Sequence, residues 1–268
     1  MSHYCRAAMN YVTATDVQAR EVEILDGRRL DGLSWEESGF ELIRHASEVE
    51  NWALVDASTL HYDEIGALAR RLTGCDAVLY YPALVRNRAN AQRSEDLAPI
   101  RFVHSDYTES YREMIEDADH PYRAILAPFM ERAGITGDDI ARARRILTLQ
   151  FWRNIGPARM SHPLAFCDAR TVVRSDLHPL LVSEYGGIPT GFYSFGVSAP
   201  STSPGHRWVT FPEMTPEEVV VFRAYDSDRV AAGQPFWTPH SAFVDPVAGA
   251  DAPPRESIEM RAICLFDG

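Results

Sequence analysis

Arg255-Glu256-Ser257-Ile258-Glu259-Met260-Arg261, continued by Ala262-Ile263-Cys264-Leu265-Phe266, is the stretch whose reading decides the fold. Side chains alternate across a strand, so Arg255, Ser257, Glu259 and Arg261 share one face, and Ile258 and Met260 share the other. Charged groups on one face of a strand are costly in an apolar core unless they are paired or meet a polar cavity. A solvent-facing strand is the plain alternative. Against it, the apolar face is thin and the continuation through Phe266 is apolar on both sides. The stretch reads as the wall of a β-barrel with a polar interior.

Working outward, short β-type runs recur between Pro, Gly, Ser and Asp punctuation at residues 164–167, 190–197, 207–211, 219–225 and 258–266. Such spacing predicts a β-sandwich or jelly roll. Residues 146–153 read as a further strand, with Leu147, Leu149, Phe151 and Arg153 on one face. Ile146, Thr148, Gln150, Trp152 and Asn154 form the other, a polar and aromatic surface that suits a pocket wall. In the first half, residues 21–25, 77–81 and 100–103 read as strands. Helices are expected at 62–72, with Asp63 as N-cap, and at 107–118, 121–133 and 138–145. The expected class is mainly β with flanking helices. A single domain is expected over residues 1–268, with 1–75 an N-terminal extension packed on the barrel.

The chain has 268 residues, and 26 basic against 38 acidic residues give a net charge of −12. That balance argues against nucleic acid or an anionic membrane as partner. Cys5, Cys75, Cys167 and Cys264 form no C-x-x-C pair and match no zinc framework, so a reducing, cytoplasmic setting is expected. No run approaches the ~20 apolar residues of a membrane span. Arg6 and Asn10 break the only candidate signal segment.

Two further segments carry chemistry: Phe102-Val103-His104-Ser105-Asp106 and Pro239-His240-Ser241-Ala242-Phe243. Two neutral imidazoles and one carboxylate on one side of iron(II) leave half its coordination sphere for O2 and a co-substrate. His-x-Asp serves because residues i and i+2 point the same way at a strand end. The pattern alone is weak, since His61-Tyr62-Asp63 repeats it where a helix is expected to open. His162 and His178 each precede a proline. His206, in a Ser/Pro/Gly-rich loop, rivals His240 as third ligand; the Arg-x-Ser segment downstream of His240, at Arg255 and Ser257, favours His240. Arg255 and Ser257 are suited to a distal carboxylate, as in 2-oxoglutarate, because a guanidinium binds carboxylate bidentately and a hydroxyl adds a bond. Gln150 is assigned to the same co-substrate pocket. Trp152, Arg153, Tyr107 and Arg261 are candidates for contact with a small, carboxylate-bearing substrate, and Arg86 is a further candidate to hold its carboxylate.

At these residues the chain resembles the cephamycin 7-alpha-hydroxylase subunit and gibberellin desaturase-like family. The corresponding pieces are Val103-His104-Ser105-Asp106, Trp152-Arg153-Asn154, Pro163-Leu164-Ala165-Phe166-Cys167-Asp168 and Met214-Thr215-Pro216-Glu217-Glu218. Pro239 to Phe243 and Arg255 to Arg261 complete the set, in order, over about residues 80 to 268. The resemblance implies a double-stranded β-helix (jelly roll, cupin-like) core, with Fe(II), 2-oxoglutarate and O2. It implies His104, Asp106 and His240 as ligands and Arg255 with Ser257 as anchor. Asn154 departs from the family, which has proline there. Such enzymes oxidise an unactivated C–H bond by hydroxylation, desaturation or oxidative cyclisation in secondary metabolism. With Asp106 present, halogenation is disfavoured. The rival readings are a non-catalytic or differently metallated cupin-like protein and an auxiliary subunit of a modifying enzyme.

Overall fold

The computed structural model describes residues 2–52, 57–185 and 187–267. In chain order the strands are β1 (His3–Val12), β2 (Val17–Asp26), β3 (Phe40–Arg44), β4 (Ala77–Tyr80), β5 (Leu84–Arg86), β6 (His104–Ser105) and β7 (Arg145–Asn154). The second half adds β8 (Leu164–Cys167), β9 (Leu177–Tyr185), β10 (Ile188–Val197), β11 (Trp208–Thr210), β12 (Glu218–Asp226), β13 (His240–Ala242) and β14 (Ser257–Phe266). The helices are α1 (Ala57–Thr73), α2 (Arg88–Arg93), α3 (Tyr111–Glu116), α4 (Pro121–Ala133), α5 (Gly137–Arg142) and α6 (Ser227–Ala231).

The strands form two sheets, an eight-stranded one ordered β1-β2-β11-β8-β13-β6-β10-β9 and a six-stranded one ordered β3-β12-β7-β14-β4, with β5 also paired to β14. Pairing is antiparallel except β11 on β2. The arrangement is a jelly roll. Phe40, Trp152, Val220 and Phe222 from the smaller sheet pack against Leu164, Phe166, Val209 and Ala242 from the larger. The opposite face of the smaller sheet, with Leu147, Leu149, Phe151, Met260 and Ala262, is covered by Ile65, Leu68 and Ala69 of α1. Each such aliphatic side chain taken from water contributes roughly 2 kcal/mol. The strand β14 is buried along almost its whole length, as its apolar continuation required.

Several local expectations are corrected. α1 starts at Ala57, so Asp63 is an interior residue paired with Arg132 at 3.0 Å and is no cap. Residues 107–110 are not helical, and the helix expected to run on to 145 stops at Arg142 because Arg145 already opens β7. Residues 100–103 form only a bridge, Asn10 to Phe102, before the two-residue β6. Residues 1–75 supply β1 and β2 to the larger sheet and β3 to the smaller, with α1 packed outside.

Candidate metal centre

β13 lies beside β6 with His240 directly opposite His104, and β10 flanks the other side of β6. Two histidines from distant parts of the chain thus become cross-strand neighbours, their ring centroids 4.3 Å apart. Asp106 stands two residues after His104 and turns to the same side. Ser105 between them turns away and accepts the Thr238 N–H at 3.3 Å. One ligand atom from each of His104, Asp106 and His240 lies within 4.8 Å of the others, and all three residues are buried.

Nδ1 of His104 lies 2.9 Å from the Phe102 carbonyl, and Nδ1 of His240 lies 2.9 Å from the Thr238 carbonyl. A carbonyl only accepts, so each Nδ1 carries the proton and each Nε2 keeps a lone pair. Nε2 of His240 stands 3.9 Å from Oδ1 of Asp106. Burial, with the neighbouring His240 ring, pushes the His104 imidazole down to about 3. Burial likewise lowers His240. Both rings are therefore neutral, the form that binds a metal. Burial alone would raise the Asp106 carboxyl, but Arg261, His240 and His104 hold it down to about 2. Nε of Arg261 donates to its Oδ2 at 3.2 Å. Phe222 meets the His240 ring edge-on at 4.8 Å and Phe166 lies at 6.2 Å, closing the wall in apolar surface.

Beyond the triad the inner face of β14 continues through Arg261, Glu259 and Ser257, opposite Gln150, Trp152 and Asn154 of β7. Among the described residues, four buried polar atoms here have no hydrogen-bond partner: Arg255 Nε, Ser257 Oγ, Gln150 Oε1 and Trp152 Nε1. Leaving such groups unpaired costs about 1–3 kcal/mol each, so this is a cradle for a polar occupant. Burial, with Arg86 nearby, lowers the Arg255 guanidinium to about 9. Nη1 of Arg255 makes only a long hydrogen bond, to the His162 carbonyl at 3.4 Å. An under-paired guanidinium, a free hydroxyl and an indole N–H fit a carboxylate. The Gln150 amide fits after a half-turn that exchanges its O and N.

The structure separates the remaining expected residues. Trp152 faces inward beneath Arg255, 5.9 Å from guanidinium carbon to ring. Tyr107 is buried beside the triad, with Arg261 6.0 Å over its ring and its hydroxyl 3.3 Å from that of Tyr122. Arg153 is not at the site. Strand alternation turns it to the outer face, where it donates to the His45 carbonyl and to Nδ1 of His45, both at 2.8 Å, and to the Pro216 carbonyl. His206 is held by Asp176 at 3.0 Å and stands 3.3 Å from the Tyr11 hydroxyl, outside the triad. His61 is buried in α1 against Trp52. Asn154 closes the β7 turn, donating to the Met214 carbonyl at 2.7 Å and the Pro157 carbonyl at 3.0 Å and accepting from Gly156 N–H. Glu259 pairs with Arg86 at 2.8 Å, while Arg261 serves Asp106. Phe222, and Tyr185 whose hydroxyl accepts from Nη2 of Arg86 at 2.6 Å, escape sequence reading, because a lone aromatic in a strand reads as core.

Comparison with known proteins gives a consistent result. A family described as "Oxidoreductase/YMDC permease-like domain" matches residues 3–265. The Fe(II)/2-oxoglutarate-dependent dioxygenase nvfI of Aspergillus novofumigatus is 30% identical over 210 residues, 78% of this chain and 66% of that protein. The hydroxylase/desaturase efuI of Hormonema carpetanum is 28% identical over 276 residues, covering 96% of this chain and 83% of that one. A solved structure of the iron and alpha-ketoglutarate-dependent endoperoxidase NvfI superposes with a TM-score of 0.76 at 22% identity, covering 100% of this chain and 99% of that chain, and shares the fold.

Proposed function

The chain belongs to the family described as "Oxidoreductase/YMDC permease-like domain", whose pattern spans residues 3–265, and from its relatives and its site we propose an iron(II)/2-oxoglutarate-dependent dioxygenase acting on a small metabolite. The observation that carries the reading is the buried His104, Asp106 and His240 set, with both Nδ1 atoms committed to backbone carbonyls. When bound, iron(II) with 2-oxoglutarate and O2 supplies the oxidising power to remove a hydrogen atom from an unactivated C–H bond, with succinate and CO2 as co-products.

The protein's own part is orientation and exclusion. Nε2 of His104, Nε2 of His240 and one Asp106 oxygen would hold the metal. Arg261 fixes the other Asp106 oxygen, which would leave one oxygen for the metal. Arg255 and Ser257 hold the far carboxylate of 2-oxoglutarate, with Gln150 and Trp152 beside it. Phe166 and Phe222 keep water from the imidazoles. Tyr107 lines the substrate side. The fungal hydroxylase/desaturase relatives, and the resemblance to the cephamycin 7-alpha-hydroxylase subunit and gibberellin desaturase-like proteins, support hydroxylation or desaturation in secondary metabolism. Anaerobic titration of the iron(II)-loaded protein with 2-oxoglutarate tests the reading. A visible charge-transfer band that His240→Ala removes is expected. Absence of both the band and any succinate release across a broad substrate panel would refute it.

A further inference from the structure

We propose that Arg86 and Tyr185 form a clasp between the edge strand of the larger sheet and β14 of the smaller, and that its opening governs entry and escape of the dicarboxylate co-substrate. The proposal rests on the assignment of Arg255 and Ser257 as the anchor. Arg86 ends β5 and pairs directly with Ser257 on β14, so it shares the inner face with the anchor. β9 is the free edge of the other sheet and ends in Tyr185. Nη2 of Arg86 donates to the Tyr185 hydroxyl at 2.6 Å and to Glu259 at 2.8 Å. Nη1 donates to the carbonyls of Asp96 at 2.5 Å and Ala98 at 2.8 Å. The Tyr185 hydroxyl donates in turn to the Asp96 carbonyl at 3.1 Å. One buried guanidinium therefore ties β14, the segment 96–98 and the edge of the opposite sheet together, beside the unpartnered Ser257 and Arg255 atoms.

A second observation bears on how this edge opens. Strand β9 is exposed along most of its length, Leu181 at 57%, whereas β10 is buried from Ser194 to Val197 and paired to β6, so β9 is held by its ladder to β10 and by the Arg86 tie rather than by apolar burial. Segments with little buried surface open locally at low cost, and the polar tie then sets how often. Arg86 makes four bonds in a planar fork, a geometry that lysine does not reproduce.

Tyr185→Phe removes the bridging hydroxyl without stranding a charge. In the full chain loaded with iron(II) under nitrogen, amide exchange in residues 94–98 and 177–185 should rise at least about tenfold, since the hydroxyl both accepts from Arg86 and donates to the Asp96 carbonyl. Exchange in 145–154 should not change. The dissociation rate of 2-oxoglutarate, chased and tracked by the charge-transfer band, should rise in parallel. Arg86→Lys should move both readouts the same way; if that variant does not fold, Tyr185→Phe decides alone. Unchanged exchange in Tyr185→Phe overturns the clasp, and faster exchange with an unchanged dissociation rate overturns its role as a gate. Full 2-oxoglutarate affinity in Arg255→Lys sinks the anchor assignment instead, and with it the cargo of the gate.

Discussion

A guanidinium with an idle donor is the most informative single group in the molecule. Arg255 is buried, its Nε has no partner, and its charge is disfavoured by its surroundings. Arg255→Lys keeps a cation but loses the planar fork. The apparent 2-oxoglutarate affinity should fall about 10- to 100-fold, the size of one or two charge-assisted bonds. Iron(II) affinity measured without co-substrate should hold; an equal loss of both would mean a folding defect. His61 gives a prediction of another kind. Burial, with Arg153 and His45 nearby, holds its folded imidazole down at about 3 against 6.5 ordinarily. Between those values the unfolded chain binds the extra proton, so acidification favours unfolding. Its contribution to stability is complete above 6.5 and is lost on the way down to about 3. His61→Phe should reduce the acid loss by about 2 kcal/mol between about pH 6.5 and 5, read from urea melts. Parallel acid limbs in the two proteins would show that His61 is not the group responsible.

Among the elements, the two-residue β6 is the most exacting. It holds His104 between β13 and β10, and Gly196 of β10 sits directly opposite His104. A Cβ at Gly196 would lie 2.7 Å from Leu180 Cδ1 and 2.9 Å from Val12 Cγ2. Gly196→Ala should cost about 1–3 kcal/mol and displace His104, lowering metal affinity in an iron(II) titration. Normal metal affinity in that variant would show that β1 and β9 give way instead. The alternation within β7 and β14 is legible in the sequence, because a two-residue period needs no tertiary information. Arg153 shows the limit: its charge invites a place in the pocket, but its parity puts it on the outer face. β9 is hard to read because Pro179 argues against a strand, yet an edge strand tolerates a residue with no N–H. β1 is hidden because Arg6 and Asn10 interrupt its apolar residues, although both fall on its less buried face. Tyr185 belongs to the site only through the edge strand β9.

At the scale of the whole molecule, the site is a joint between two sheets, and what binds there stabilises the entire fold. Adding iron(II) anaerobically should raise the melting temperature by several degrees, since a ligand at about 100 times its dissociation constant contributes about 2.7 kcal/mol. 2-Oxoglutarate should add a further rise only when metal is present, and a chelator should reverse both. Asp106→Ala should show neither shift; a rise of wild-type size in that variant would place the metal elsewhere. The rival reading of a non-catalytic jelly roll needs no unpartnered Arg255 and Ser257, and their coincidence on one inner face is what sets it aside. The general architecture is readable from recurrent short strands. The pairing of the two sheets is not, because strand order depends on partners far apart in the chain.

β14 lies between β7 and β4, in the interior of the smaller sheet. It also comes after both histidines in chain order. During synthesis, therefore, a nascent polypeptide holds all three candidate ligands before it has the strand that carries the co-substrate anchor. A product truncated before Arg255 would lack the seat proposed for 2-oxoglutarate. On the proposed assignment, the seat for 2-oxoglutarate is completed only by the last strand, after all three candidate metal ligands.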